Sequence, residues 1–130
     1  MLSFNKRSHA LFSIILSVVI IATILTGCGT ADKNESEKVH IAAHLHDIGK
    51  IGVPDAVLQK QGKLTEDEWQ QMKKHPEYGA NILKKSHRLS ELSEIVLMHH
   101  ERFDGKGYPF GKSGDEIPLG ARIIAICDSI

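Results

Sequence analysis

At 130 residues the chain has room for one small domain, and its 16 basic and 16 acidic residues balance, which excludes the strong positive field expected of a binder of DNA or RNA duplex. The two cysteines sit in unlike company, Cys28 closing an N-terminal apolar segment and Cys127 ending the apolar stretch 121–127, so no disulfide framework is expected. Histidine stands out, with eight residues mostly between His40 and His100, and clustered histidines point to metal.

Lys6 and Arg7 precede an uncharged, mostly apolar run at 10–25, followed by Thr26 and Gly27. That order of positive, apolar and small residues predicts a secretory signal over 1–27, and the run is short for a free-standing transmembrane helix. Leu25-Thr26-Gly27-Cys28 resembles the bacterial lipobox, which implies cleavage before Cys28, lipidation of its sulfur and a lipid-anchored domain at the cell membrane. An uncleaved signal helix would be the alternative anchor, and both place the remaining chain outside the cytoplasm. Without a working signal the protein would be cytoplasmic. Residues 28–39 are polar and predict a short tether, and residues 40–130 the folded part.

From Val39 the pattern is helical. Ile41, Ala42, Leu45 and Ile48 share one face, and Gly49 is a natural stop, which puts His46 and Asp47 in the last turn. Residues 55–60 predict a short helix. Thr65 to Glu68 form a capping box for a helix reaching about Lys74. Pro76 suits the first turn of the next helix, with His75 as its cap residue and Tyr78, Ile82 and Leu83 on one side. A further helix over about 89–101 carries His99 and His100 near its C-terminal end. Gly105, Gly107 and Pro109 force a loop, and Ile117-Pro118 open a last helix leading to Cys127, expected as a small buried apolar residue, and Asp128. No alternating pattern of useful length is present, so the expected class is all-α.

A dinuclear site needs about four to six nitrogen and oxygen ligands, including a carboxylate able to span two cations. The candidates are His46, Asp47, His75, His99, His100 and Asp128, all at helix ends or corners. Each has a plainer reading alone: a histidine or Lys50 at a helix C-terminus can simply complement the dipole, and Asp128 can be a solvated helix residue. Adjacent residues on a helix point roughly 100° apart, so His99 and His100 share a site only if the helix end faces it. The ordered set His-Asp, His, His-His, Asp is what carries the metal reading.

The runs His46-Asp47-Ile48-Gly49-Lys50, His75-Pro76, His99-His100-Glu101 through Gly107-Tyr108-Pro109, and Ile117-Pro118 through Cys127-Asp128 resemble the HD-GYP family, a branch of the HD phosphohydrolases. The resemblance covers about 41–130. It implies a partial HD-type helical bundle and a phosphodiesterase that linearises cyclic di-GMP with two divalent metal ions, iron or manganese. By resemblance, Asp47 bridges the metals, His75, His99 and His100 hold one, and His46 with Asp128 holds the other. Lys50 contacts a substrate phosphate and joins His46 and Asp47 as a catalytic residue. Gly107, Tyr108 and Pro109 line the site or meet protein partners such as a diguanylate cyclase domain.

Two features depart from that pattern. The family carries a further histidine ligand upstream of the His-Asp pair, where this chain has its signal and His9. His40 and His44, one turn apart, are expected to be surface or packing residues. The family also continues past the aspartate into basic helices that clamp the second phosphate, whereas this chain stops at Ile130. A truncated domain is therefore the expectation, with a non-catalytic tethered domain that binds nucleotide, metal or a partner as the second reading. An outward signal also sits uneasily with a cytoplasmic messenger as substrate.

Overall fold

The computed structural model describes residues 33–129. The segment 1–27, His9 and the lipidation candidate Cys28 lie outside the described residues. Within them the fold is helical, and the only β feature is an isolated bridge between Asp104 and Ser113. Among the described residues no helix is long and apolar enough to cross a membrane.

Helix α1 spans Lys33–Leu45. It therefore includes polar residues that composition assigned to the tether. Lys38 explains part of this, pairing with Glu35 one turn back and with Glu91 at 3.1 Å, which fastens that end of α1 to the rest of the fold. Apolar packing takes over at Ala42, which is fully buried. The helix stops at Leu45, one residue before His46, and a 3-10 turn follows at Ile48–Gly52. Ile48 thereby leaves the apolar face and is 38% exposed.

Two short helices follow, α2 at Asp55–Leu58 and α3 at Glu66–Met72. The Thr65 capping box forms as expected: the Glu68 amide donates to the Thr65 hydroxyl, and the Thr65 amide donates to the Glu68 carboxylate. Helix α4 is His75–Lys84, so His75 is its first residue and Lys74 its cap. This shifts the expected boundary by one and leaves the corner where it was placed. The buried side of α4 is His75, Pro76, Gly79, Ala80 and Leu83. Tyr78 and Ile82, expected to share that side, are exposed because the Gly49 turn and α5 approach along the small residues instead.

The expected helix at 89–101 is broken. A 3-10 turn at Ser90–Leu92 leads into a short α5 at Ser93–Leu97, and His99 and His100 lie in the turn beyond it. A third 3-10 turn at Gly114–Glu116 precedes α6, Leu119–Asp128, which begins after Pro118. The core is Ala42, Leu83, Leu92, Val96 and Ile124, contributed by α1, α4, the Ser90–Leu92 turn, α5 and α6. A smaller cluster of Met98, Ile117 and Ala121 seats α6 against the end of α5. Cys127 is free and only partly buried, because α6 ends at the surface of the fold.

Gly49 decides where the His-Asp pair goes. A Cβ there would collide with the carbonyl oxygen of His75 and the amide nitrogen of Gly79. Only glycine lets the 3-10 turn lie against the first turn of α4, and that contact brings Asp47 beside His75.

Candidate metal centre

Three of the histidines are aimed by the same local device. Nδ1 lies 2.7 Å from the Ala43 carbonyl in His46, 2.8 Å from that of Met72 in His75, and 2.6 Å from that of Val96 in His99. A carbonyl oxygen only accepts, so each Nδ1 carries the proton and donates. Each Nε2 is left with its lone pair directed away from the backbone, the form that binds a cation. In every case the carbonyl belongs to the residue three positions earlier.

The Nε2 atoms converge. Those of His75 and His99 lie 3.3 Å apart, a distance at which two lone pairs with no proton between them need a cation or a shared hydrogen. Asp47 divides its oxygens, Oδ1 lying 3.4 Å from His75 Nε2 and Oδ2 3.6 Å from His46 Nε2. Asp128 does likewise, with Oδ1 3.7 Å from His46 Nε2 and Oδ2 3.9 Å from His100 Nδ1. Two groups of ligand atoms each lie within 4.8 Å of one another: His75, His99 and His100, and His46, Asp47 and His99. The first is the triad the sequence suggested. In the second His99 stands where Asp128 was expected, with Asp128 at its margin.

The departure of His99 and His100 from helical geometry is what lets both face the site. Their rings lie 4.1 Å apart at a tilt of 41°. His40 and His44 pack edge to face on an exposed side of α1, apart from the cluster.

The electrostatics suit cations. Burial pushes His99 down to about 3, with the charge of His100 adding to it, and burial pushes His100 down to about 4. Burial also lowers His75. These three are neutral at pH 7 and available as donors. Burial would lower His46 too, but the carboxylates of Asp128 and Asp47 and the Ala43 carbonyl together outweigh it and raise its pKa. Asp128 is held down to about 2, first by His46. Burial would raise Asp47, yet the Lys50 ammonium 2.6 Å away and the neighbouring histidines keep it below its ordinary value. Both carboxylates are therefore ionised. His46 Nε2 is buried without a hydrogen-bond partner. A buried nitrogen that feels two carboxylates at 3.6 and 3.7 Å, beyond hydrogen-bond reach of either, is the donor a cation would satisfy.

Beyond the cluster the chain folds back as a loop that ends over His100. Tyr108 lies nearly parallel to His100, at 24° and 4.8 Å, and its amide donates to the His100 carbonyl. Two devices hold the loop. A Cβ on Gly107 would collide with the backbone of Glu101 and Arg102, so only glycine passes there. The Glu101 carboxylate, 3% exposed, accepts from the amides of Phe110 at 2.6 Å and Lys112 at 3.0 Å. A cleft of about 410 Å³ opens between this loop, the histidines and α3. Gly107 and Tyr108 line it; Pro109 and Lys50, expected at the substrate, do not. Lys50 is spent in part on Asp47, although an ammonium has two further donors.

Sequence reasoning missed two residues here. Glu101 was visible only as part of a longer run, and nothing in its spacing announced a buried carboxylate. Trp69 lines the same cleft. Its signal was available: it is the single tryptophan of the chain, set in a helix whose only other apolar residue is Met72.

Helix ends carry four histidines and two aspartates into one cluster that could hold metal, on an all-α scaffold with a cleft beside it. The HD domain family profile matches residues 7–129, and the chain belongs to the HD domain family. The match begins inside the stretch that reads as a signal. The chain is similar to the cyclic di-GMP phosphodiesterase response regulator RpfG of Xanthomonas campestris, 50% identical over 98 residues, which cover 74% of this chain and 26% of that protein. It is similar to the cyclic di-GMP phosphodiesterase of Thermotoga maritima, 49% identical over 94 residues, 71% of this chain and 26% of that one. The 3'3'-cGAMP-specific phosphodiesterase 2 of Vibrio cholerae is 46% identical over 98 residues, 74% of this chain and 19% of that protein. The chain thus spans about a fifth to a quarter of the length of these relatives.

Proposed function

We propose that this chain carries the catalytic core of a metal-dependent phosphodiesterase of the HD-GYP type, acting on a cyclic dinucleotide, with cyclic di-GMP as the first substrate to test. The observation that carries this reading is the convergence of imidazole Nε2 atoms on the divided carboxylate of Asp47, with His46 Nε2 buried and unpaired. The names of the similar proteins supply the substrate class.

His75, His99 and His100 would hold one divalent cation, iron or manganese, and His46 a second, with Asp47 spanning the two and Asp128 closing the set. When bound, the cations supply a nucleophile derived from water at neutral pH and offset charge on the phosphoryl oxygens. The protein's own residues do the remaining work. The carbonyl tethers hold three imidazoles in one tautomer, so no ring must turn. Lys50 keeps Asp47 ionised and has two donors left for a phosphate oxygen. Burial raises the Tyr108 hydroxyl above its ordinary value, so it stays protonated and can donate to substrate. In the reaction an oxygen from water bonds to phosphorus and the bond from phosphorus to the 3' oxygen breaks, giving a linear dinucleotide.

The test is incubation of the manganese-loaded protein with cyclic di-GMP and separation of the products. Linear pGpG or GMP is expected, and His99→Ala, which removes an atom common to both ligand groups, should lose bound metal and turnover together. A His99→Ala protein that keeps both would sink the assignment.

Lipid attachment at Cys28 and a place at the cell membrane remain part of this reading and rest on residues 6–28 of the sequence. Radiolabelled palmitate on the wild-type chain, absent from Cys28→Ala, is the expected result. A protein partner such as a diguanylate cyclase domain would meet the loop at Phe103 and Phe110, which are 66% and 57% exposed.

A further inference from the structure

None of the residues of helix α3 is fully buried, and of its two large apolar side chains Met72 is half-buried while Trp69 is 39% exposed. A tryptophan can be part-exposed through packing alone. Trp69, however, lines the cleft beside the histidine cluster. Its ring meets Tyr108 almost at right angles, at 77° and 6.1 Å, while Tyr108 lies flat on His100. A line of three rings therefore runs from a candidate cation ligand to an exposed indole along one wall.

The charges along that wall differ in their freedom. The Arg102 guanidinium is committed to Asp104 through two hydrogen bonds of 2.9 and 2.7 Å. Lys73 has no carboxylate partner among the described residues, and its ammonium lies 5.9 Å from the centre of the Trp69 ring. An aromatic ring with a cation within reach of it is a combination that can hold a nucleobase and its phosphate, since every base offers a π-face. The cleft, at about 410 Å³, lies toward the small end of ligand sites and suits one nucleotide unit rather than a whole cyclic dinucleotide.

We propose that Trp69 is the shelf on which one nucleobase of the substrate stacks, with Lys73 steering the adjacent phosphate, so that the two residues set the preference for a base-bearing phosphodiester. This rests on the phosphodiesterase reading above. The ring centres, 4.8 Å from His100 to Tyr108 and 6.1 Å on to Trp69, offer a wall along which the nucleoside of a phosphate held at the histidines would extend.

The single tryptophan makes the shelf directly readable. Titrating the manganese-loaded full chain with GMP should quench its fluorescence saturably, and inorganic phosphate should leave the emission unchanged. In turnover of cyclic di-GMP, Trp69→Ala should raise KM on the order of tenfold or more with a much smaller change in kcat, and Trp69→Phe should recover most of that loss. Lys73→Ala should raise KM as well. Circular dichroism of each variant separates lost stacking from lost fold. Equal quenching by phosphate, no quenching by bound GMP, or an unchanged KM in a folded Trp69→Ala protein would overturn the shelf. Quenching by GMP without hydrolysis would keep the shelf and remove the reaction, whereas hydrolysis without quenching would do the reverse.

Discussion

At the scale of single residues, the site depends on groups that never touch a cation. Glu101 is the clearest. Its carboxylate is buried, carries no basic partner, and is satisfied by the two backbone amides of the returning loop. Replacing it with glutamine keeps the shape but turns one acceptor into a donor aimed at an amide that also donates. A buried donor left unpaired costs about 1–3 kcal/mol. Glu101→Gln should lose that much stability in urea titration and free Tyr108 from His100; an unchanged midpoint would mean that the loop is held some other way.

At the scale of elements, two glycines and several chain breaks place the ligands. In Gly49→Ala the new methyl meets the backbone of α4, so the 3-10 turn must withdraw and take Asp47 from His75. Overpacking of this kind costs about 1–3 kcal/mol. The expected outcome is a lower unfolding midpoint together with weaker manganese binding, read by calorimetry; full affinity in a folded Gly49→Ala protein would refute the placement. The sequence made some of this legible. Helix starts were visible because capping chemistry is local: the Thr65 box and the prolines at 76 and 118 lie where the backbone demanded them. The residues that the fold gathers were legible as an ordered series of residue types. Helix ends were less so. The break between Ser90 and Ser93, the release of His99 and His100 from the helix, and the exposure of Tyr78 are all settled by which surface another element covers, and local sequence does not carry that information. The same limit hid the role of Glu101, whose partners lie nine and eleven residues away in a loop.

At the scale of the molecule, burying neutral histidines makes stability depend on pH. The ordinary histidine value is near 6.5, whereas in the folded metal-free chain His99 titrates at about 3 and His100 at about 4. Between those limits the unfolded chain binds protons that the folded one refuses, so stability must fall as pH drops from about 6.5 toward 3. His46, raised by its carboxylates, acts in the opposite direction: its contribution is present below 6.5 and lost as pH rises through its folded value. Asp128, at about 2 in the fold against an ordinary 3.8, contributes above 3.8 and loses that contribution toward 2. Three buried histidines, His75 among them, oppose one, so the midpoint of unfolding measured in EDTA should decline from pH 7 to 4.5. A flat profile would mean that His99 is accessible to protons. Manganese should raise the midpoint at pH 7 in proportion to the logarithm of its concentration once above its Kd.

The carbonyl tethers give that metal a diagnostic value. Each reaches back to Ala43, Met72 or Val96 along its own stretch of chain. Ring direction is therefore inherited from turns that form locally, whereas ring proximity exists only when α1, α4 and α5 have docked. The cation becomes a gauge of interhelical distance. A substitution far out in the core that loosens the packing of these helices would announce itself first as faster release of metal, while the helical content of the chain still looked intact.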